Sequence, residues 1–427
     1  MGAAADRISF IRDAEIERTL RVYSTRVFEA AGLDPSAIEI YLVKDNSINA
    51  FVAGGQKLFI HTGLLMRSEN PEQVIGVIAH EAGHIAGGHL SRTHDQLARS
   101  SAQAIIGAVL GGVAAIGAGR GDLGSALVLG GQQIGQRSFL QYSRTQEYAA
   151  DQAGMRFMDY AGISSEGLEE FLEILGDQEL LSTSSQAPYV RTHPLSAERI
   201  EAIHQHVASS SATGNKLPPE YAEMHARMRA KLRAYLNPGT LFRYYPESDQ
   251  SLVGRYAHAI AYYRQSDLDK ALAAIDSLIA ENPDDPFFHE LKGQMLFENG
   301  HIGDALPQYE TAVRLYPKSA LLKTDLARIQ IESNDPTLLE PAIQNLRVSA
   351  QLDPDRAFVW RLLAIAYGRD GQMGMSAMAM AEQAFMTGDK KQARYNAEKA
   401  QKLLPFGSPG WLTAEDILTA LKKEKDE

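Results

Sequence analysis

Residues 74–90 read "VIGVIAHEAGHIAGGHL", three histidines and one glutamate in an apolar run rich in Gly and Ala. Just upstream, Asn70-Pro71-Glu72 supplies an N-cap, a proline for the first helical position and an acid for the first turn. The stretch therefore belongs to a helix that opens near residue 70. Within it His80, Glu81 and His84 form H-E-x-x-H. Positions i and i+4 lie about 40° apart around a helix axis. Both imidazoles then project from one face and suit two corners of a zinc tetrahedron. Glu81, about 100° around from His80, reaches a water beside the ligands and suits a general base.

Such a zinc site needs a third protein ligand. The pattern H-E-x-x-H-x-x-G-x-x-H is half present through Gly87, but its last position is Leu90. His89 comes one residue early and, on a continuing helix, sits about 140° from His84. It is expected to face away, as a surface or outer-layer histidine. The other solution, the gluzincin one, is a glutamate from a later helix, with an aspartate four residues on. Glu147 with Asp151 and Glu173 with Asp177 both offer it. Glu147 lies among Ala149, Ala150, Ala153 and Gly154, which suit close packing on Ala79, Ala82, Gly83 and Gly87. Glu173 lies among Phe171, Leu172, Ile174 and Leu175, with no small face. Glu147 is favoured and Glu173 stays as the alternative. Asp151 would then accept the outer N–H of a ligand histidine and fix its tautomer.

Outward from the motif, residues 6–31 show helical spacing in Ile16, Leu20, Tyr23 and Val27. "AIEIYLV" (37–43), "INAFVA" (48–53) and "KLFIHTG" (57–63) read as strands, the last two joined at Gly54-Gly55 as a hairpin. Helices are expected at 142–161, at 165–180 and after His193-Pro194. From about 250 an internal repeat emerges. Ala259, Ala271 and Pro283 recur as Gly293, Ala305 and Pro317, and then, with an insertion, as Ala327, Ala342 and Pro354. A displacement of about 34 residues with small residues at fixed places is the tetratricopeptide pattern. The expected fold is mainly α. An N-terminal α+β gluzincin-like metalloprotease domain with a small sheet spans 1–207, and a linker with a basic helix spans 208–249. An α-solenoid of tetratricopeptide repeats spans 250–410, and a C-terminal helix and charged tail span 411–427.

A net charge of −11 argues against a nucleic-acid partner, which needs a basic footprint. With no cysteine, thiolate chemistry and Cys-based zinc sites are excluded. "AIIGAVLGGVAAIGAG" (104–119) is apolar but only 16 residues long, short of the roughly 20 that span a bilayer. It reads as a lid or packed segment, with contact to a membrane surface as the other reading. Residues 1–10 lack the charged and apolar regions of a signal peptide.

"HEAGH", "EYAAD", the upstream "NAFVAGGQKLFIHTGLL" and the downstream "THPLSAER" together resemble the peptidase family of the CAAX prenyl proteases and HtpX-type membrane proteases. With a tetratricopeptide tail, the resemblance is to its branch of bacterial β-barrel assembly-enhancing proteases. It covers about residues 6–410. It implies one zinc ion held by His80, His84 and Glu147, with Glu81 as general base. His193 matches a histidine that, in similar proteins, can act as an additional zinc ligand holding the enzyme latent, its other reading being a catalytic substrate or oxyanion donor in an open site, and Arg199 matches an arginine near the active site. "KLFIHTG" would be the edge on which an extended substrate lies. The resemblance further implies a periplasmic location, with any leader removed. Misassembled outer-membrane β-barrel proteins would be the substrates, and the repeats would contact the β-barrel assembly machinery. A chaperone or scaffold, in which the repeats do the work and the metal site is silent, is the rival reading.

Overall fold

The computed structural model describes residues 9–89, 144–179 and 188–426. The 104–119 segment lies outside the described residues. None of the described helices is long and apolar enough to cross a membrane.

The chain forms two compact units, the first running to Arg264 and the second from Gln265 onward. In the first unit, β1 (Phe10–Ile11) precedes α1 (Ala14–Ala30), so the expected 6–31 helix starts later than its pattern suggests. Asp13 sets the start, its side chain accepting the Ile16 N–H. Three strands follow, β2 (Glu39–Val43), β3 (Ala50–Ala53) and β4 (Lys57–His61). Gly54 and Gly55, at φ +59° and +90°, make the β3–β4 hairpin turn that Cβ-bearing residues disfavour.

The sheet order is β1-β2-β4-β3, with β2 parallel to β4 and β3 antiparallel to it. This corrects the expectation that "KLFIHTG" is a substrate edge. β4 is hydrogen-bonded on both sides, and Leu58, Phe59 and Ile60 are all buried, as suits a central strand. Among the described strands, the outer positions of the sheet belong to β1 and β3.

After the short α2 (Thr62–Arg67) comes α3 (Pro71–Ala86), capped by Asn70, whose side chain accepts from Gln73 N at 2.9 Å. It is followed by α4 (Arg144–Ala161), α5 (Glu166–Glu179), α6 (Pro188–Thr192), α7 (Ala197–Ser209), α8 (Pro219–Leu236) and α9 (Leu252–Arg264). One core joins Leu20 and Val27 of α1, Leu58 of β4, Val74 and Ile78 of α3, and Met155 of α4. Met228 and Leu232 of α8 belong to it too, so this helix, expected inside a linker, is part of the first unit.

The second unit continues in helical hairpins: α10 (Leu268–Glu281), α11 (Pro286–Glu298), α12 (Ile302–Leu315), α13 (Ala320–Glu332), α14 (Leu339–Leu352), α15 (Ala357–Arg369), α16 (Met373–Met386), α17 (Lys390–Leu403) and α18 (Pro409–Asp426). Ala271, Ala305, Ala327, Ala342, Ala381 and Ala393 are buried where helices meet. A Cβ on Gly293 would come within 2.5 Å of the Tyr309 ring. Pro283, Pro317, Pro354 and Pro405 each stand two residues past a helix end, where the missing N–H costs nothing.

Candidate metal centre

The donors come from α3, α4 and the turn after α6. Small residues let the first two helices meet. A Cβ on Gly83 would lie 2.6 Å from the Ala150 carbonyl oxygen, and one on Gly154 would lie 2.9 Å from the Ala79 backbone. Ala149, expected at this contact, is instead exposed on the other face of α4. Glu147, Ala150, Asp151, Gly154 and Met158 form the buried stripe of that helix, spaced as a helical face requires. Glu173 is exposed on α5 and joins no donor cluster among the described residues.

His80, His84, Glu147 and His193 are all buried, with candidate ligand atoms within 4.8 Å of one another. His80 Nε2 lies 3.1 Å from His84 Nε2 and 3.3 Å from His193 Nδ1. Glu147 Oε1 lies 3.3 Å from His84 Nε2 and 3.2 Å from His193 Nδ1, and its Oε2 lies 3.5 Å from His80 Nε2. Ligands held tetrahedrally at 2.0–2.1 Å from an ion are separated by about 3.3 Å. The donors therefore have the spacing, chemistry and burial that a small divalent cation needs. Two buried imidazole nitrogens facing each other would otherwise repel unless a cation or proton lay between them.

Partners outside this tetrad orient it. His80 Nδ1 donates to Asp151 Oδ1 at 2.7 Å. Arg199 holds Asp151 in a fork, Nε to Oδ2 at 2.5 Å and Nη2 to Oδ1 at 2.9 Å, while its Nη1 reaches Glu147 Oε2 at 2.9 Å and the Pro194 carbonyl at 2.8 Å. Ser196 caps α7 and sets Arg199 one turn in, facing the site. His193 is placed by its N–H to the Tyr189 carbonyl at 2.7 Å and by the Tyr189 ring, 4.5 Å from its own.

Electrostatics divide the carboxylates. Burial pushes the Glu81 carboxyl up, against the pull of His193 and His80. Burial also raises Glu147 and Asp151, but imidazoles around the first, and His80 with Arg199 around the second, outweigh it and hold both below the usual carboxylate range. Of the three, Glu81 alone is pushed above the usual carboxylate range, while the other two are held below it. It sits beside the edge strand, near the Val52 backbone, with Oε1 3.5 Å from His193 Nε2.

His80, Glu81, His84, Glu147, Asp151, His193 and Arg199 all converge here. His89 differs from its expectation. The helix does not continue, and His89 is buried with Nδ1 2.9 Å from His84 Nδ1. Gly87-Gly88 was the available signal for that helix stop. Tyr189 was missed altogether, for a lone tyrosine before His193-Pro194 carries no motif.

Residues 11–207 match the family described as Peptidase family M48, and residues 256–320 match Tetratricopeptide repeat. The chain is 23% identical over 414 residues to "Beta-barrel assembly-enhancing protease" of Yersinia pestis, covering 93% of this chain and 82% of that protein. It is 22% identical over 410 residues to the protein of the same name in Escherichia coli (strain K12), covering 93% and 81%. To "Metalloprotease LoiP" of Escherichia coli (strain K12) it is 30% identical over 178 residues, covering 41% and 64%.

Proposed function

From the premise that the chain joins a peptidase family M48 domain to tetratricopeptide repeats, we propose that it is a zinc-dependent endopeptidase of gluzincin type. On this reading it removes misassembled outer-membrane β-barrel proteins in the periplasm. The observation that carries the reading is the buried His80–His84–Glu147–His193 cluster beside the raised carboxyl of Glu81. The names of the relatives matched over 93% of the chain support the substrate class and, with it, the compartment and a contact between the repeats and the β-barrel assembly machinery.

When bound, a zinc ion supplies a Lewis acid and lowers the pKa of water into the neutral range. His80, His84 and Glu147 would hold it. Glu81 accepts a proton at its carboxylate and returns it to the leaving amine. On this reading an extended peptide lies along β3, the outer strand next to Glu81. His193 would supply a fourth donor and also lies against Glu81. Four protein donors make the closed shell of a structural site, so His193 has to leave before peptide can enter. That same closed shell favours the second reading, a chaperone or scaffold with a silent site.

The test compares cleavage of an unfolded outer-membrane protein and casein by wild type and two variants. Glu81→Gln should retain its metal and lose about 100-fold or more in rate. His193→Ala should cleave faster than wild type. Equal rates for wild type and Glu81→Gln would sink the peptidase reading and leave the scaffold, and a slower His193→Ala would sink latency.

A further inference from the structure

α3 stops at Ala86, and Gly87 with Gly88 reverses the chain, Gly88 in the left-handed region at φ +59°. The reversal lays His89 back over the end of its own helix. Its ring is edge-on to that of His84, centroids 5.0 Å apart, and the two Nδ1 atoms are 2.9 Å apart. A Cβ on Gly87 would sit 2.6 Å from His89 Nε2, so a bare backbone is needed for the ring to lie there.

We propose that His89 is the positioning residue of His84, fixing its ring and tautomer for metal binding. The inference rests on the reading of His84 as a ligand. His84 turns Nε2 toward the donor cluster. A lone pair there requires the proton on Nδ1, and His89 Nδ1 accepts it. The two ligand histidines are therefore held differently. His80 donates to a carboxylate clamped by Arg199, and His84 donates to a neutral ring. A divalent ion and Arg199 already balance the three buried carboxylates Glu81, Glu147 and Asp151 against their combined charge. A fourth carboxylate at residue 89 would leave net charge buried, whereas an imidazole orients His84 and adds none.

The experiment uses the full chain, measuring zinc affinity by competition with a chromogenic chelator and the visible spectrum of the cobalt-substituted protein. His89→Ala should weaken zinc binding about 10- to 100-fold and shift the cobalt bands. His89→Asn, whose Oδ1 can accept the same hydrogen bond, should stay within about threefold of wild type. Melting of the metal-free proteins separates orientation from folding, and His89→Ala should melt with wild type. Wild-type affinity in His89→Ala, no rescue by Asn, or an affinity loss matched by a collapse of the metal-free fold would each overturn the inference while leaving the metal centre standing. Absence of zinc binding by wild type would overturn both.

Discussion

Arg199 carries a guanidinium into an almost water-free place because two carboxylates meet it there. Its fork on Asp151 and third contact to Glu147 join the acceptor of His80 to the glutamate beside both histidines. Removing the arginine leaves two buried negative charges short of a partner, a loss on the order of 3–5 kcal/mol. Arg199→Ala should therefore lower the melting temperature of the first unit and its metal content together. Arg199→Lys should recover little, since one ammonium cannot make the planar fork. A lysine variant with wild-type stability and metal content would show that the fork is dispensable. At this scale the motif residues were legible because the chemistry demands their types and spacing, and Glu147 was preferred over Glu173 by its small neighbours. His89 was misread because helical angles hold only while the helix lasts.

Strand and helix identities and the β3–β4 hairpin followed from period, caps and turn, while the parallel pairing of β2 with β4 did not. The family resemblance places a substrate edge on β4; its hairpin with β3 is legible at Gly54-Gly55, but its parallel register with β2, which makes it a central strand, is reported by no local pattern. α8 shows the same limit. It reads as a basic helix within a linker, but His225, Arg227 and Lys231 are buried in its inner face. His225 donates from Nε2 to the Ser68 carbonyl at 3.1 Å, and burial pulls its pKa down to about 4, helped by Arg229 and opposed by that carbonyl. The unfolded chain binds the proton near pH 6.5 and the folded one only near 4. Stability contributed by neutral His225 is thus complete above pH 6.5 and is lost as pH falls toward 4, by about 2 kcal/mol between pH 7 and 5. Thermal unfolding at both pH values should show a smaller drop in His225→Gln than in wild type. An equal drop would assign the acid sensitivity elsewhere.

The boundary between the units is where whole-molecule organisation departs most from the sequence pattern. Repeat spacing begins near 250, so a cut there looks harmless, and Ala259 keeps step with later repeats. The folded chain nevertheless counts α9 with the first unit. Glu15, at the start of α1, is buried and takes Arg227 at 2.7 Å, Lys231 at 3.3 Å and the Tyr256 hydroxyl at 2.6 Å. Burial raises its carboxyl, but the two cations and the hydroxyl outweigh this and keep it ionised. Arg227 also stacks over the Tyr256 ring at 5.3 Å. A chain ending at residue 249 would lose Tyr256 and expose this charged cluster and the α8 surface beneath α9. The cost is on the order of 3–5 kcal/mol, as for removing a large buried aromatic. A chain ending at Arg264 keeps every one of these contacts. The longer fragment should melt as the first transition of the full protein and bind metal with the same affinity, while the shorter one should melt well below it. If both fragments melted alike, α9 would belong with the repeats, as its sequence period alone suggests.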